Sequence, residues 1–328
     1  MNSEGQKMKK TSKLLSLIIN NKSWIILILL ILVASVVSKG LFFTADNLIS
    51  VLKQNSYLSI LALGFLVVLS SGNLDLSVGH LMGLLAISFA MMSSLMPEWL
   101  AFVVTLVIGV VAGLFNGILA IKLGLTPFIL TLATGQMFRG FAYLLCDGRS
   151  ITVLTPICKF LGSGKLVGNL PFNFALVIIL TIILQIVITH TSFGTHLLAT
   201  GGNEAAAKVS GVNTQKTKIH AFMICGFFNA IAAVMVSGRV TVAMPSVGDG
   251  LEMDAVAAVI IGGTSLSGGK ANVPGAIVGA LILGIITNML NLAKVSAYWQ
   301  WVVKGIIIVL AILIDVKSEL LINKSKKA

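Results

Sequence analysis

The stretch "WLAFVVTLVIGVVAGLFNGILAI", Trp99–Ile121, decides the fold. It carries no charged side chain, and a helix needs roughly 20 mainly apolar residues to cross the hydrocarbon core of a bilayer. Gly109, Gly113 and Gly117 recur in it every four residues. That spacing lets helix backbones approach closely where lipid supplies no hydrophobic drive between them. Outward from this run the same texture repeats. Apolar segments cover Ser23–Ser38, Tyr57–Ser71, Val78–Met96, Pro127–Cys146, Phe172–His190, Ile219–Ser237, Met253–Leu266, Val273–Leu292 and Trp299–Asp315. Strand-type alternation is absent over most of the chain, which argues against a membrane β-barrel. The sequence predicts an all-α polytopic membrane protein with about ten transmembrane helices.

Composition agrees. The 328 residues are 57% hydrophobic and 10% charged, with a mean hydropathy of +1.01, where soluble domains carry about 25% charge. The net charge of +12 does not point to nucleic acid once it is placed by side. With ten spans and the N-terminus inside, the termini (Lys7, Lys9, Lys10, Lys13, Lys22; Lys317, Lys324, Lys326, Lys327) and Lys122, Lys208, Lys216, Lys218 and Lys270 fall inside. Only half as many fall outside: Lys39, Lys53, Arg149, Lys159, Lys165, Arg239 and Lys294. This is the positive-inside pattern, and it makes both ends cytoplasmic. Residues 1–22 and 317–328 read as basic cytoplasmic tails around one membrane domain, 23–316. The basic leader is long for a cleaved signal peptide. Cys146, Cys158 and Cys225 are too few for a disulfide framework; Cys146 and Cys158 flank one outer loop and either pair there or stay free. The four histidines are scattered and show no metal-ligand spacing.

Two segments break the apolar pattern with glycine and polar residues: "SSGNLDLSVGHLMG" (Ser70–Gly83) and "GGTSLSGGKANVPGAIVGA" (Gly262–Ala280). Interrupted spans at related places in two halves point to a transport pathway lined by broken helices. The second segment resembles a phosphate-binding loop, but the required hydroxyl after Gly269-Lys270 is Ala271. The loop therefore lacks its magnesium ligand, and a tight cytoplasmic turn is the better reading. Asp75 lies nearest the membrane core. It either carries a coupling proton or caps the helix starting near Ser77. Arg139 is a possible ion-pair partner for it. The remaining polar groups at depth are amides, among them Asn55, Asn73, Asn116, Gln136 and Asn288, a lining suited to a neutral, hydroxyl-rich solute.

One polar stretch, "GGNEAAAKVSGVN" (Gly201–Asn213), reads as a two-turn helix within a cytoplasmic loop of about 191–218. Asn203 is an N-cap, Glu204 and Lys208 pair one turn apart, and Gly211 fits the left-handed stop. Ala205, Val209 and Val212 share one side. A helix this short is not stable alone, so it docks either on its own protein or on a partner.

That stretch resembles the coupling loop of the permease subunit of bacterial ATP-binding-cassette importers of the ribose-type monosaccharide family. So, in the same order, do "FFTADNLISVLKQNS" (Phe42–Ser56), "GNLDLSVG" (Gly72–Gly79), "NGILAIKLGLTPFILTLATGQMFRG" (Asn116–Gly140) and "LEMDAVAAVIIGGTSLSGGKANVPGAIVGALILGIITNMLN" (Leu251–Asn291). The resemblance implies a type II-like importer permease fold in the bacterial cytoplasmic membrane and a pathway shared with a second permease copy, bathed in membrane lipids. It implies partner ATPase subunits that bind the ATP and magnesium, with no cofactor and no enzymatic activity in this chain. It also implies an extracytoplasmic sugar-binding protein, facing outer loops that include Asp249, Glu252 and Asp254. Carried over residue by residue, Gly201, Gly202, Asn203, Glu204, Ala205, Ala206, Lys208, Val209 and Gly211 form the coupling element, which levers the sixth and seventh spans. Asn73 departs from the family, which often has a second glycine there; asparagine also tolerates the left-handed backbone. The residues alone leave a second reading open, an ion-coupled carrier of a small neutral solute that uses Asp75.

Overall fold

The computed structural model describes residues 22–166 and 170–325, with side chains from Ser23 to Leu313 outside the gap. Most of the two basic tails lies outside the described residues. The helices are α1 (Lys22–Val37), α2 (Ala45–Ser70), α3 (Val78–Leu95), α4 (Glu98–Ile121), α5 (Pro127–Leu145), α6 (Pro156–Ser163), α7 (Phe172–His190), α8 (Ser192–Gly202), α9 (Glu204–Val209), α10 (Thr214–Val240), α11 (Leu251–Ile261), α12 (Val273–Leu292) and α13 (Ala297–Ser325). Two-residue strands β1 (Ile151–Thr152) and β2 (Val242–Ala243) pair antiparallel. Seven of the helices are long and apolar enough to cross a membrane, and shorter apolar segments lie at Ser23–Val37 and Ala297–Leu313. The protein is an all-α polytopic membrane protein, as the apolar runs predict.

The centre of the bundle is α2 and α10, which are buried on nearly all sides. The glycine series of α4 explains one of their contacts. Gly109 faces Gly226 of α10, Gly113 faces the Phe222 carbonyl and Gly117 faces Ile219. Gly279 of α12 meets Ala258 of α11 in the same way. The outer faces of α4, α5 and α7 expose valine, isoleucine, leucine and phenylalanine, as expected where the solvent is lipid. Leu27 and Ala34 of α1 join Val278, Ile282 and Ile285 of α12 in a second, smaller cluster.

Two elements depart from the sequence expectation. The predicted span Met253–Leu266 is helical only over Leu251–Ile261. Its 11 residues reach about 16 Å at 1.5 Å per residue, half of a crossing. The segment Met244–Gly250 completes that crossing: the Pro245 carbonyl packs on Gly83 and Gly248 packs on Gly79, both on α3. Second, α3 starts inside the bundle. Asn229, past the middle of α10, donates to the Val78 carbonyl at 2.7 Å. His80 lies against Gly135, near the midpoint of α5. The chain from Ser71 to Ser77 climbs to that level without helix.

Candidate functional site

The Gly201–Asn213 element, predicted to couple to a partner, is built as its capping residues require. Asn203 is extended, and its Oδ1 accepts from the Ala206 N–H at 3.0 Å. At the other end Gly211 takes φ +85°. The Gly211 N–H bonds to Lys208 O and the Val212 N–H to Ala207 O, both at 3.0 Å, the double closure of a glycine-stopped helix. Glu204 pairs with Lys208 at 3.0 Å and with Lys218 of α10 at 2.6 Å, and it accepts from Thr214 Oγ1 at 3.1 Å. Lys218 above all, with Lys208 and Thr214, pulls its carboxyl down to about 2 against burial, which opposes more strongly than either of the latter two helps. Ala207 is the side chain that α9 buries. Ala205 and Ala206 are exposed, and Val209 is 91% exposed. Val212 is half-buried, so the apolar knob consists of Ala205, Ala206 and Val209. The preceding helix α8, with two glycines at its end, is absent from the sequence reading.

Beneath α8 and α9 the three polar segments meet. Gly201 ends α8 against the Ser70 carbonyl, and a Cβ there would overlap that oxygen and lie 2.5 Å from the Gly269 nitrogen. Gly269, at φ +73°, would put a Cβ 2.6 Å from Gly202 Cα. Its N–H donates to Ser70 O at 3.0 Å, and Ser70 Oγ donates to Lys270 O at 3.1 Å. The end of α2, the end of α8 and the turn between α11 and α12 thus touch through backbone. Only hydrogen fits at Gly201, and the left-handed backbone at Gly269 also requires glycine.

From this junction the Ser71–Ser77 segment rises with its first N–H groups bonded to backbone carbonyls of α2 and those of Leu76 and Ser77 to side chains, as irregular backbone at membrane depth requires. Asp75, 1% exposed, accepts from the Ser77 N–H at 3.0 Å and from Ser77 Oγ at 2.5 Å. Asn116 of α4 donates to Ser77 Oγ at 2.9 Å. Thr131 of α5 accepts from the Leu76 N–H at 3.0 Å. Asp75 therefore closes a local turn on Ser77, and the N-cap position of α3 is Ser77 itself, without a side-chain cap bond. Arg139 pairs with Asp249 at 3.4 Å instead, which corrects the Asp75–Arg139 pairing.

Residues 47–312 match the branched-chain amino acid transport system / permease component family. The chain belongs to that family. The permease is 37% identical to the ribose import permease protein RbsC of Haemophilus influenzae, over 91% of this chain and 93% of that one. It is 37% identical to the Bacillus subtilis protein of the same name, over 89% and 91%. The xylose transport system permease protein XylH of Haemophilus influenzae is 31% identical, over 87% and 92%. No solved structure matches the chain.

The sequence candidates separate into groups in the permease. Gly201, Gly202, Asn203, Glu204, Ala205, Ala206, Lys208, Val209 and Gly211 form one contiguous element. Asn73, Asp75 and Asn116 are stitched into the α2–α3 break; Asn73 Nδ2 bonds Ser71, and the positive φ belongs to Gly72. Asn288 exchanges amide hydrogen bonds with Asn47 at 2.8 and 3.2 Å and ties α12 to α2. Asn55 is buried against Gly284. Gln136 and Arg139 alone of these polar candidates reach an open face of α5. The three cysteines are free.

The acids assigned to outer loops sit deeper than the sequence implies. Asp254, 6% exposed, pairs with Lys304 of α13 at 2.6 Å. Asp249 joins Arg139 and stands 3.9 Å from His80 Nε2, while Glu252 packs on Gly79. The missed signal was the Gly79-xxx-Gly83 pair, which opens α3 to the incoming segment.

Proposed function

We propose that this permease imports a monosaccharide of the ribose or xylose type across a bacterial cytoplasmic membrane. It works as one of two copies beside a shared pathway, with separate ATP-binding-cassette ATPase subunits inside and a sugar-binding protein outside. ATP and magnesium belong to the ATPase subunits. The observation that carries this reading is the exposed face of α9. A two-turn helix is fixed at both ends and ion-paired to α10, yet it turns Ala205, Ala206 and Val209 away from its own protein. A helix too short to stand alone, held with its apolar side outward, suits a groove on a soluble partner. The names of its relatives supply the solute class.

In this mechanism ATP-driven closure of the ATPase subunits moves α8 and α9. Because α8 follows α7 and α9 leads into α10, the sixth and seventh spans move with them. The glycine junction adds the α2–α3 break and the α11–α12 turn to what they displace. The test is uptake of labelled ribose and xylose by proteoliposomes holding this chain, the co-encoded ATPase and the co-encoded binding protein. Uptake is expected to need all three components and ATP, and Ala206→Asp is expected to abolish it while ATPase activity persists. Uptake by the permease alone, driven by a proton gradient, would establish the ion-coupled carrier instead.

A further inference from the structure

One face of α5 is wrong for lipid. Gln136, Arg139 and Tyr143 follow one another at three- and four-residue spacing and so share one side of the helix. Gln136 is exposed, the Arg139 and Asp249 side chains are 41% and 39% exposed, and Tyr143 is 36% exposed. The stripe runs from the middle of α5 at Gln136 toward its Leu145 end, which Tyr143 approaches to about 3 Å of helix at 1.5 Å per residue. His80, which contacts Asp249, packs on Gly135, about 12 Å of helix from Pro127 and about 15 Å from Leu145 at 1.5 Å per residue. An exposed ion pair facing hydrocarbon is costly, and charged side chains inside a membrane face water or protein. By contrast α7 shows lipid Ile178, Ile179, Ile182, Ile183 and Ile186.

The chemistry of the stripe is also specific. Arg139 and Asp249 balance one another, with Glu252 and His80 behind them, and no metal-binding cluster occurs among the described residues. A carboxylate accepts two hydroxyl donors, and a guanidinium donates in a fixed fork. Tyr143, whose ring lies 5.9 Å from the Arg139 guanidinium, offers an apolar face with a polar tip. That set of groups fits a neutral solute with several hydroxyls on one side and C–H groups on the other.

We propose that Arg139 and Asp249, flanked by Gln136 and Tyr143, form a solute-contact site of the transport pathway on a water-filled face of α5, between its midpoint and its Leu145 end. Asp249 accepts from sugar hydroxyls, Arg139 donates to them, and Tyr143 stacks against the ring. His80 holds Asp249 in place from α3. This rests on the permease reading above.

The experiment has two arms, in a variant whose three cysteines are replaced. In the first, Gln136→Cys, Asp249→Cys and Ile183→Cys are exposed to a charged, membrane-impermeant thiosulfonate from outside. Residues 136 and 249 are expected to react and 183 to stay unlabelled, with saturating sugar and binding protein slowing the reaction. In the second, Asp249→Asn and Tyr143→Ala are assayed for uptake with partner subunits. Each is expected to lower uptake about tenfold, the loss of one strong hydrogen bond or its equivalent, while ATP hydrolysis continues. Tyr143 is exposed, so its variant stays folded if the Asp249 variant does not. Unlabelled 136 and 249, or normal uptake in Tyr143→Ala, overturns the proposal. Failure of the unmutated protein to take up sugar with ATP counts against the permease reading alone. The labelling arm needs no transport and still decides whether water reaches this face.

Discussion

Glu204 concentrates three interactions on one carboxylate: Lys218, Lys208 and Thr214. Its pKa is depressed to about 2 from an ordinary 4.5, so the sign is that of a stabilising anion. The contribution is complete above pH 4.5 and is lost as pH falls towards 2. The side chain is 37% exposed, so solvent screening keeps each pair to about 0.5 kcal/mol. Amide exchange in residues 205–211, corrected for intrinsic rates, is expected to quicken between pH 5 and 3, and Glu204→Gln is expected to show that faster exchange already at neutral pH. The adjacent glycines make a sharper contrast. Gly201→Ala drives a methyl into the Ser70 carbonyl and is expected to cost about 1–3 kcal/mol, as overpacking does, read as a lower Tm in detergent. Gly202→Ala meets only Gly269 Cα at 3.8 Å and is expected to leave Tm unchanged.

At the scale of elements, the Ser71–Ser77 break is where transport chemistry and structure compete for Asp75. In the structure its Oδ1 accepts from the Ser77 N–H, from Ser77 Oγ and, at 3.5 Å, from Asn116 Nδ2, and an asparagine Oδ1 at this position can accept from the same groups. Asp75→Asn is therefore expected to keep ATP-dependent uptake within about threefold, since a swapped neutral acceptor changes stability by about 1 kcal/mol or less. Loss of all uptake with the protein still folded would return Asp75 to a coupling role. The element α9 was legible because capping is local: Asn203, Glu204 and Gly211 act within a few residues of themselves. The helix α8 was not, because Gly201 and Gly202 at its end look like a break until the Ser70 carbonyl beneath Gly201 is known. The half-length of α11 was hidden for a related reason. The predicted span runs on to Leu266 across the polar, glycine-rich Gly262–Ser265, whereas hydrogen bonding stops the helix at Ile261.

Across the whole molecule, the all-helical class was readable because lipid imposes one solution on every span, while the expected ten or so crossings compare with seven helices long and apolar enough to cross and two shorter apolar ones. The candidate site was legible only as fragments. Ser70–Gly83, Gly201–Asn213 and Gly262–Ala280 each stood out as polar and glycine-rich, and nothing in their spacing said that they touch. Nor did it say that Asp249 leaves the outer surface for Arg139, a pairing between residues 110 positions apart.

The meeting of those fragments through backbone has a mechanical consequence. A joint made of side chains has slack: rotamers turn, and a small push at one surface fades before it reaches the next. At Gly201 and Gly269 there are no side chains to turn, and the Ser70 carbonyl and Gly269 N–H are part of the chains themselves. A shift of α8 is passed on without backlash to the foot of α2 and to the turn leading into α12. In the proposed mechanism the two interrupted segments would therefore move on one clock.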